Sequence, residues 1–169
     1  MGDMAKHFDR SEFVCRCGCG KNDISQELVN KLEDMHTYFS KLGTGCKSII
    51  ISSGCRCPTH SIAVGGYAND AHTKGIAADI IVNKSNGVPY LPETVAAVAE
   101  YLGFSGIGVM AGACHVDIRN KNNYVNSHWF GDEITGENIQ TFANYLPVIN
   151  EKHKITVNID GKTVLDMEV

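Results

Sequence analysis

The chain has 169 residues, 43% of them hydrophobic and 20% charged, with a formal net charge of −4. That length suits one domain with its own core and is short for two. The acidic balance excludes the basic footprint of a nucleic-acid binder, and no apolar stretch approaches the length of a membrane span, so neither nucleic-acid binding nor membrane insertion is expected.

The opening Met-Gly-Asp-Met-Ala-Lys-His lacks the apolar segment of a secretory signal. Action in the cytoplasm, release by another route, or an export signal missing from this sequence all stay open. A Cys/Gly-rich loop follows at 15–20. Of the seven cysteines, five fall in two groups, Cys15/Cys17/Cys19 and Cys55/Cys57, with Cys46 and Cys114 apart. The odd count forbids full internal pairing. A disulfide between the groups, free thiols and a second, structural metal remain alternatives, although C-x-C-x-C is not the usual C-x-x-C knuckle spacing.

Ser25 is placed to cap a helix of about 16 residues. Leu28, Leu32, Met35, Phe39 and Leu42 recur at three-to-four spacing along it, and Gly43 stops it. Ser48 to Ser53, with its Ile-Ile-Ile centre, reads as a buried strand. Gly54 to Ala71 reads as irregular, with Pro58 and Gly65-Gly66. Ile76 to Val82 is a second apolar strand, and Pro92 starts a helix that runs to Leu102 before Gly103. Gly106 to Met110 and Ala113 to Ile118 read as a hairpin around Ala111-Gly112. A helix is expected around Gly136 to Tyr145. After the charged Glu151-Lys-His-Lys154, Ile155 to Val169 reads as a hairpin centred on Asp160-Gly161, a type I′ turn signal. Residues 1–150 are therefore read as the main domain and 151–169 as a C-terminal hairpin or linker. Helices and strands mix without βαβ regularity, which predicts an α+β fold with a mainly antiparallel sheet flanked by helices.

Two stretches carry chemistry: His72-Thr-Lys-Gly-Ile-Ala-Ala-Asp79 and Cys114-His115-Val-Asp117. His, Asp and His are ligand types for a catalytic zinc, which takes three protein ligands and leaves its fourth position to water. Gly75 allows a tight turn between His72 on a loop and Asp79 on a strand. Strand alternation puts Ala113, His115, Asp117 and Arg119 on one face, with Cys114, Val116 and Ile118 on the core side. Asp117 then lies about 7 Å along the same face from His115. From there it acts either as general base on a zinc-bound water or as the orienter of a ligand histidine. Among the remaining candidates, His60 reads as an exposed loop residue and Trp129 as core. His7, His36 and His153 read as solvated.

These stretches together resemble a known family. The segments Ser53-Gly-Cys-Arg-Cys-Pro-Thr-His60, Val64-Gly-Gly66, Asn69-Asp-Ala-His72-Thr-Lys-Gly75-Ile-Ala-Ala-Asp79 and His115-Val-Asp117-Ile-Arg119 are similar to the M15 zinc D-Ala-D-Ala carboxypeptidases and related peptidoglycan peptidases. The opening His7-Phe8, Ser11-Glu-Phe13 and Cys15-x-Cys17-Gly-Cys19-Gly20 fits the same group, so the resemblance covers about residues 6 to 130. It implies a carboxypeptidase- or hedgehog-like fold with the zinc on the open face of the sheet. It also implies Zn2+ held by His72, Asp79 and His115, and Arg56 as the arginine that meets the oxyanion or the substrate carboxylate.

The sequence departs from the family at three positions. Gly112 stands where the dipeptidase branch has a glutamate, which leaves Asp117 as the expected base. Asp70 stands where serine is common; it either touches substrate, favouring one with an amino group nearby, or caps the loop without such a role, and Cys55 replaces an aromatic residue. The function implied is hydrolysis of peptidoglycan stem peptides, by a carboxypeptidase or a phage-type endolysin endopeptidase. Such an enzyme would be a monomer acting on the cell wall after release by lysis machinery. Two other classes compete: a non-catalytic, zinc-containing module that binds cell-wall peptide, and a thiol- or zinc-sensing protein built on the cysteines.

Overall fold

The computed structural model describes residues 2–119, 127–148, 154–159 and 162–168, the last two ranges as backbone only. Helix α1 spans Gln26–Ser40. Its buried positions Leu28, Val29, Leu32, Met35 and Phe39 follow the apolar periodicity and point to one side. Ser25 precedes it in extended conformation, with its amide donating to the Gly75 carbonyl at 2.7 Å instead of capping through its hydroxyl. That bond ties the start of the helix to the turn between the first two candidate ligands. Gly75 has φ +68°, and a Cβ there would lie 2.2 Å from the Asp23 carbonyl oxygen, so both conformation and space demand glycine.

Six strands form one sheet in the order β1-β2-β4-β3-β5-β6: β1 Ser48–Ser53, β2 Ala77–Asn83, β3 Gly106–Met110, β4 Ala113–Asp117, β5 Ser127–Phe130 and β6 Glu137–Asn138. All neighbours pair antiparallel except β3 with β5, which is parallel. One face of the sheet packs Ile49, Ile51, Ile80, Val82, Ile107 and Val116 against α1 and α3 (Pro92–Tyr101), whose Val95 and Val98 are buried. The resulting architecture is the expected α+β one, with helices on one side and the other side of the sheet left open. No helix among the described residues is long and apolar enough to cross a membrane.

Three expectations need correction. The 54–71 stretch is not wholly irregular, because Pro58–Ala63 forms a short helix, α2. Pro58 sits at its first position, where a missing N–H does no harm, and the Cys57 sulfur accepts from the His60 amide. No helix forms over 136–145. Glu137–Asn138 pairs with β5, and only Ala143–Tyr145 makes a single 3-10 turn. Phe142 is held instead by the core and by its amide, which donates to the Glu100 carboxylate at 2.5 Å, so tertiary contacts override the local pattern. His36 is buried, not solvated, and stacks on His7 with ring centroids 3.7 Å apart.

At the C-terminus, β7 (Lys154–Ile159) and β8 (Lys162–Glu168) pair antiparallel as a separate two-stranded sheet. The Asp160-Gly161 turn, most of the charged 151–154 stretch and His153 lie outside the described residues.

Across the open face, register builds a row. Asp79 pairs with His115, His115 with Gly108, and Gly108 with Trp129. One step along, Ala77 pairs with Asp117, and Asp117 with Gly106. A Cβ on Gly108 would fall 2.4 Å from the Trp129 ring, and one on Gly106 would fall 2.1 Å from Asp117 Oδ2. The two glycines are the space into which an indole and a carboxylate fold. Gly108→Ala should therefore destabilise the protein by about 1–3 kcal/mol in urea denaturation, as overpacking does. Trp129 is the only tryptophan, so its native fluorescence should shift in the same variant. An unchanged midpoint and emission would show that the row has slack.

Candidate metal centre

Two of the three expected ligands, Asp79 and His115, are cross-strand neighbours on β2 and β4. His72 arrives from the loop that ends at Gly75. Its Nδ1–H donates to the Gly54 carbonyl at 2.8 Å, which fixes the tautomer and turns Nε2 toward the other two. The potential ligand atoms then lie close together: His72 Nε2 to His115 Nδ1 is 3.2 Å, His72 Nε2 to Asp79 Oδ1 is 3.3 Å, and His115 Nδ1 to Asp79 Oδ1 is 2.9 Å. A tetrahedral zinc with ligands at about 2.0–2.1 Å requires edges of about 3.3 Å. The donor set and its spacing both fit the ion, and all three residues are buried.

The groups behind the three candidate ligands are themselves hydrogen-bonded. His115 Nε2 donates to Asp117 Oδ2 at 3.1 Å. Asp117 is fully buried and is held by the Arg119 guanidinium, Nη2 to Oδ2 at 2.7 Å and Nε to Oδ1 at 3.1 Å, while the Arg119 amide donates to Oδ1 at 2.8 Å. The carboxylate thus stands behind the ligand histidine, against the nitrogen that faces away from Asp79. On the other flank, Arg56 Nη2 donates to Asp79 Oδ2 at 2.5 Å and its Nε to Ser53 Oγ at 2.9 Å. Asp79 keeps Oδ1 toward the histidines. The Trp129 ring lies against His115, centroids 5.3 Å apart, and the Arg119 guanidinium lies over the Trp129 ring at 5.3 Å from its centroid.

Burial works against charge on Asp79 and Asp117, yet both carboxyls are held far below the ordinary range. For Asp79 the bonds from His115 and His72 outweigh desolvation; for Asp117 the histidine and Arg119 do. His115 answers in the opposite sense: burial would lower it, but the two carboxylates push it up to about 9.

The trio opens into a cleft of about 660 Å³ that Arg56, Trp129, Glu133 and Tyr67 also line. A hollow of about 720 Å³ on another side, near Ser11, Arg16 and Lys47, is slightly larger but holds no such trio, so chemistry and not volume identifies the site. Asp70 lines the cleft, but its oxygens accept from the Thr73 amide at 2.8 Å, the Tyr67 amide at 3.4 Å and the Ser61 hydroxyl. It caps the ligand-bearing loop. Sequence reading missed Glu133, which reaches the cleft from beyond β5 and pairs with Arg119 Nη1. No local pattern marks it. Trp129 is both buried and cleft-lining, and the Gly106-x-Gly108 pair was the available signal for a large neighbour there. The cysteine groups meet only in part: Cys57 joins Cys15, Cys17 and Cys19, whereas Cys55 stays apart and all seven thiols are unbridged.

A family model described as Peptidase M15 matches residues 6–119, a span that contains His72, Asp79, His115 and the groups behind them up to Arg119. No curated protein matches the chain.

With His115 raised, uptake of an ion by this trio would release a proton. Below about pH 9 the ion-free site carries imidazolium at His115, and a metal needs the neutral ring, so apparent affinity rises with pH up to that point. Calorimetric titration with zinc at pH 7 in two buffers of different ionisation enthalpy should show about one proton released per ion from this group. The release should fade above pH 9. Uptake with no proton release at pH 7 would contradict the charge state assigned to His115.

Proposed function

The chain belongs to the peptidase M15 family, and from that premise we propose that it hydrolyses peptide bonds in bacterial peptidoglycan stem peptides with a zinc ion held by His72, Asp79 and His115. One observation carries this reading: three ligand atoms of catalytic type converge within 3.3 Å of one another at the floor of an open cleft. When bound, such an ion polarises a substrate carbonyl and lowers the pKa of its water.

The chain's own side chains supply the rest. Arg56 is fixed by Ser53 and Asp79 and lines the cleft, so its guanidinium is a preorganised partner for a stem-peptide carboxylate or a developing oxyanion. The exposed Val64, Tyr67 and Ile134 give the cleft an apolar rim that suits alanine methyl groups. Asp117 acts through His115, as a positioning residue, because both of its oxygens are engaged away from solvent. Proton transfer then falls to Glu133, a cleft carboxylate whose side chain is 43% exposed. It accepts the proton of the attacking water and delivers it to the leaving amine. Asp70 shapes the loop that carries His72. The enzyme acts as a monomer on the cell wall, reached by release through a lysis route.

Digestion of purified cell walls, followed by mass spectrometry of the fragments, tests the proposal. Zinc-loaded protein should release fragments, chelator should stop it, and added zinc should restore it. Free D-alanine marks a carboxypeptidase; internal peptide cuts mark an endopeptidase. Glu133→Gln should lower kcat by on the order of 10²–10⁴-fold with zinc content unchanged. Asp117→Asn should weaken zinc affinity by about 10–100-fold. A zinc-loaded chain that binds wall peptide without cutting it would replace the peptidase with a binding module. Normal turnover in Glu133→Gln would remove only the assignment of the base.

A further inference from the structure

A second cluster lies outside the cleft. The sulfurs of Cys15, Cys17, Cys19 and Cys57 all come within 4.8 Å of one another, although Cys57 is about 40 positions downstream of the other three. We propose that these four cysteines bind a structural zinc ion as a closed four-thiolate site. The proposal is independent of the peptidase reading, since it uses none of the cleft residues.

The distances favour a metal over a bridge. Cys15 Sγ to Cys17 Sγ is 3.4 Å and Cys17 Sγ to Cys57 Sγ is 3.7 Å. Tetrahedral zinc with sulfur at about 2.3 Å requires sulfur–sulfur edges of about 3.8 Å. A disulfide requires about 2.05 Å. Pairing two of the four into a disulfide would also leave the other pair crowded together without a partner. Four sulfurs within 4.8 Å of one another instead match a coordination shell with no open corner, which is what separates a structural zinc from a catalytic one.

The backbone explains how so unusual a spacing converges. In a strand, Cys15, Cys17 and Cys19 would run along one face in a line. Here the Cys15 amide donates to the Lys21 carbonyl at 2.9 Å and the Gly18 amide to the Cys15 carbonyl at 3.3 Å, which curls the segment into a ring. Amide donors also point at the sulfurs: Cys57 N to Cys15 Sγ at 3.3 Å and His60 N to Cys57 Sγ at 3.4 Å. Such donors stabilise thiolate charge and orient a metal's ligands. Cys17 and Cys19 are exposed, so water screens the charge that four thiolates leave on the site.

The site's effect would be mechanical. Cys57 follows Arg56 directly and opens α2, so the ion would clamp the N-terminal loop onto the segment that steadies Asp79.

Metal analysis of the full chain, expressed with zinc, should find about two zinc ions per molecule, one for each site. Titrating the wild-type protein with an organomercurial should release about one of them, in step with thiol modification. His72→Ala/His115→Ala should keep that thiol-bound ion. Replaced by cobalt, it should show thiolate-to-cobalt charge-transfer bands and the intense visible absorption of a tetrahedral site. Cys17→Ser/Cys57→Ser should lose it while wild-type protein retains it. The proposal is overturned if organomercurial releases no zinc from the wild-type chain, or if alkylation mapping finds these cysteines in disulfides. Cobalt spectra without thiolate bands would do the same. The wild-type titration decides the matter even where the variants do not fold.

Discussion

The register of β2 against β4 is the constraint on which the site depends. Because Asp79 pairs directly with His115, their side chains rise from the same face only about 5 Å apart at the backbone. A slip of one residue would turn His115 into the core and bring Cys114 or Val116 to the open face, since alternation leaves no middle course. That slip is opposed from below. Ile80, Cys114 and Val116 are buried against the helices, and a shift of register would expose them. The candidate metal site is thus fixed by a hydrophobic pattern on the opposite side of the sheet from its three residues.

Charge balance supplies the second constraint. Asp79 and Asp117 are buried carboxylates, and each is met by a guanidinium, Arg56 and Arg119 respectively. Buried charge is tolerated only with such pairing and with its remaining lone pairs bonded. His115 sits between the two carboxylates, whose bonds push it upward against the effect of burial. A divalent ion held there would displace one proton and bring two positive charges, which the carboxylates of Asp79 and Asp117 are placed to offset. Preorganisation of this kind lets a site bind an ion without refolding around it.

Much of this was legible in the chain because it follows short-range rules. The periodicity of α1, the Pro and Gly limits of α3, the hairpin of β3 and β4 and the alternation that puts His115 and Asp117 on one face are local, and all reappear in the structure. The long-range features did not read out. Parallel pairing of β5 with β3 needs a chain return that no dipeptide signals. The 136–145 segment has helical spacing of apolar residues, but Phe142 is claimed by the core and Glu137–Asn138 by the sheet edge. Glu133 follows β5 and is brought to the cleft by that pairing. The cysteine grouping misled for a related reason: Cys55 and Cys57 are neighbours in sequence, yet one turns into the core beside Phe13 and the other out toward the N-terminal loop.

That divergence gives the segment from Gly54 to Cys57 a special place. The Gly54 carbonyl accepts from His72, the Cys55 amide donates to Phe13, the Arg56 side chain holds Asp79, and Cys57 reaches the sulfur cluster. Four successive residues therefore grip four different parts of the molecule, although only the following residues are helical. Fixing an irregular backbone carries an entropy cost of about 1–2 kcal/mol per residue, and no ladder of hydrogen bonds offsets it here. The outer support of Asp79 would be loose if its anchor were the Arg56 ion pair alone. Arg16, whose guanidinium donates to the carbonyls of Ile51 and Ser52 at the edge of β1, adds a tether from the N-terminal loop. A metal joining Cys57 to that same loop would complete the clamp. The loop, the Gly54–Cys57 segment and the end of β1 would then be tied together, and Arg56, next to Cys57, would hold Asp79 from a joint outside the cleft.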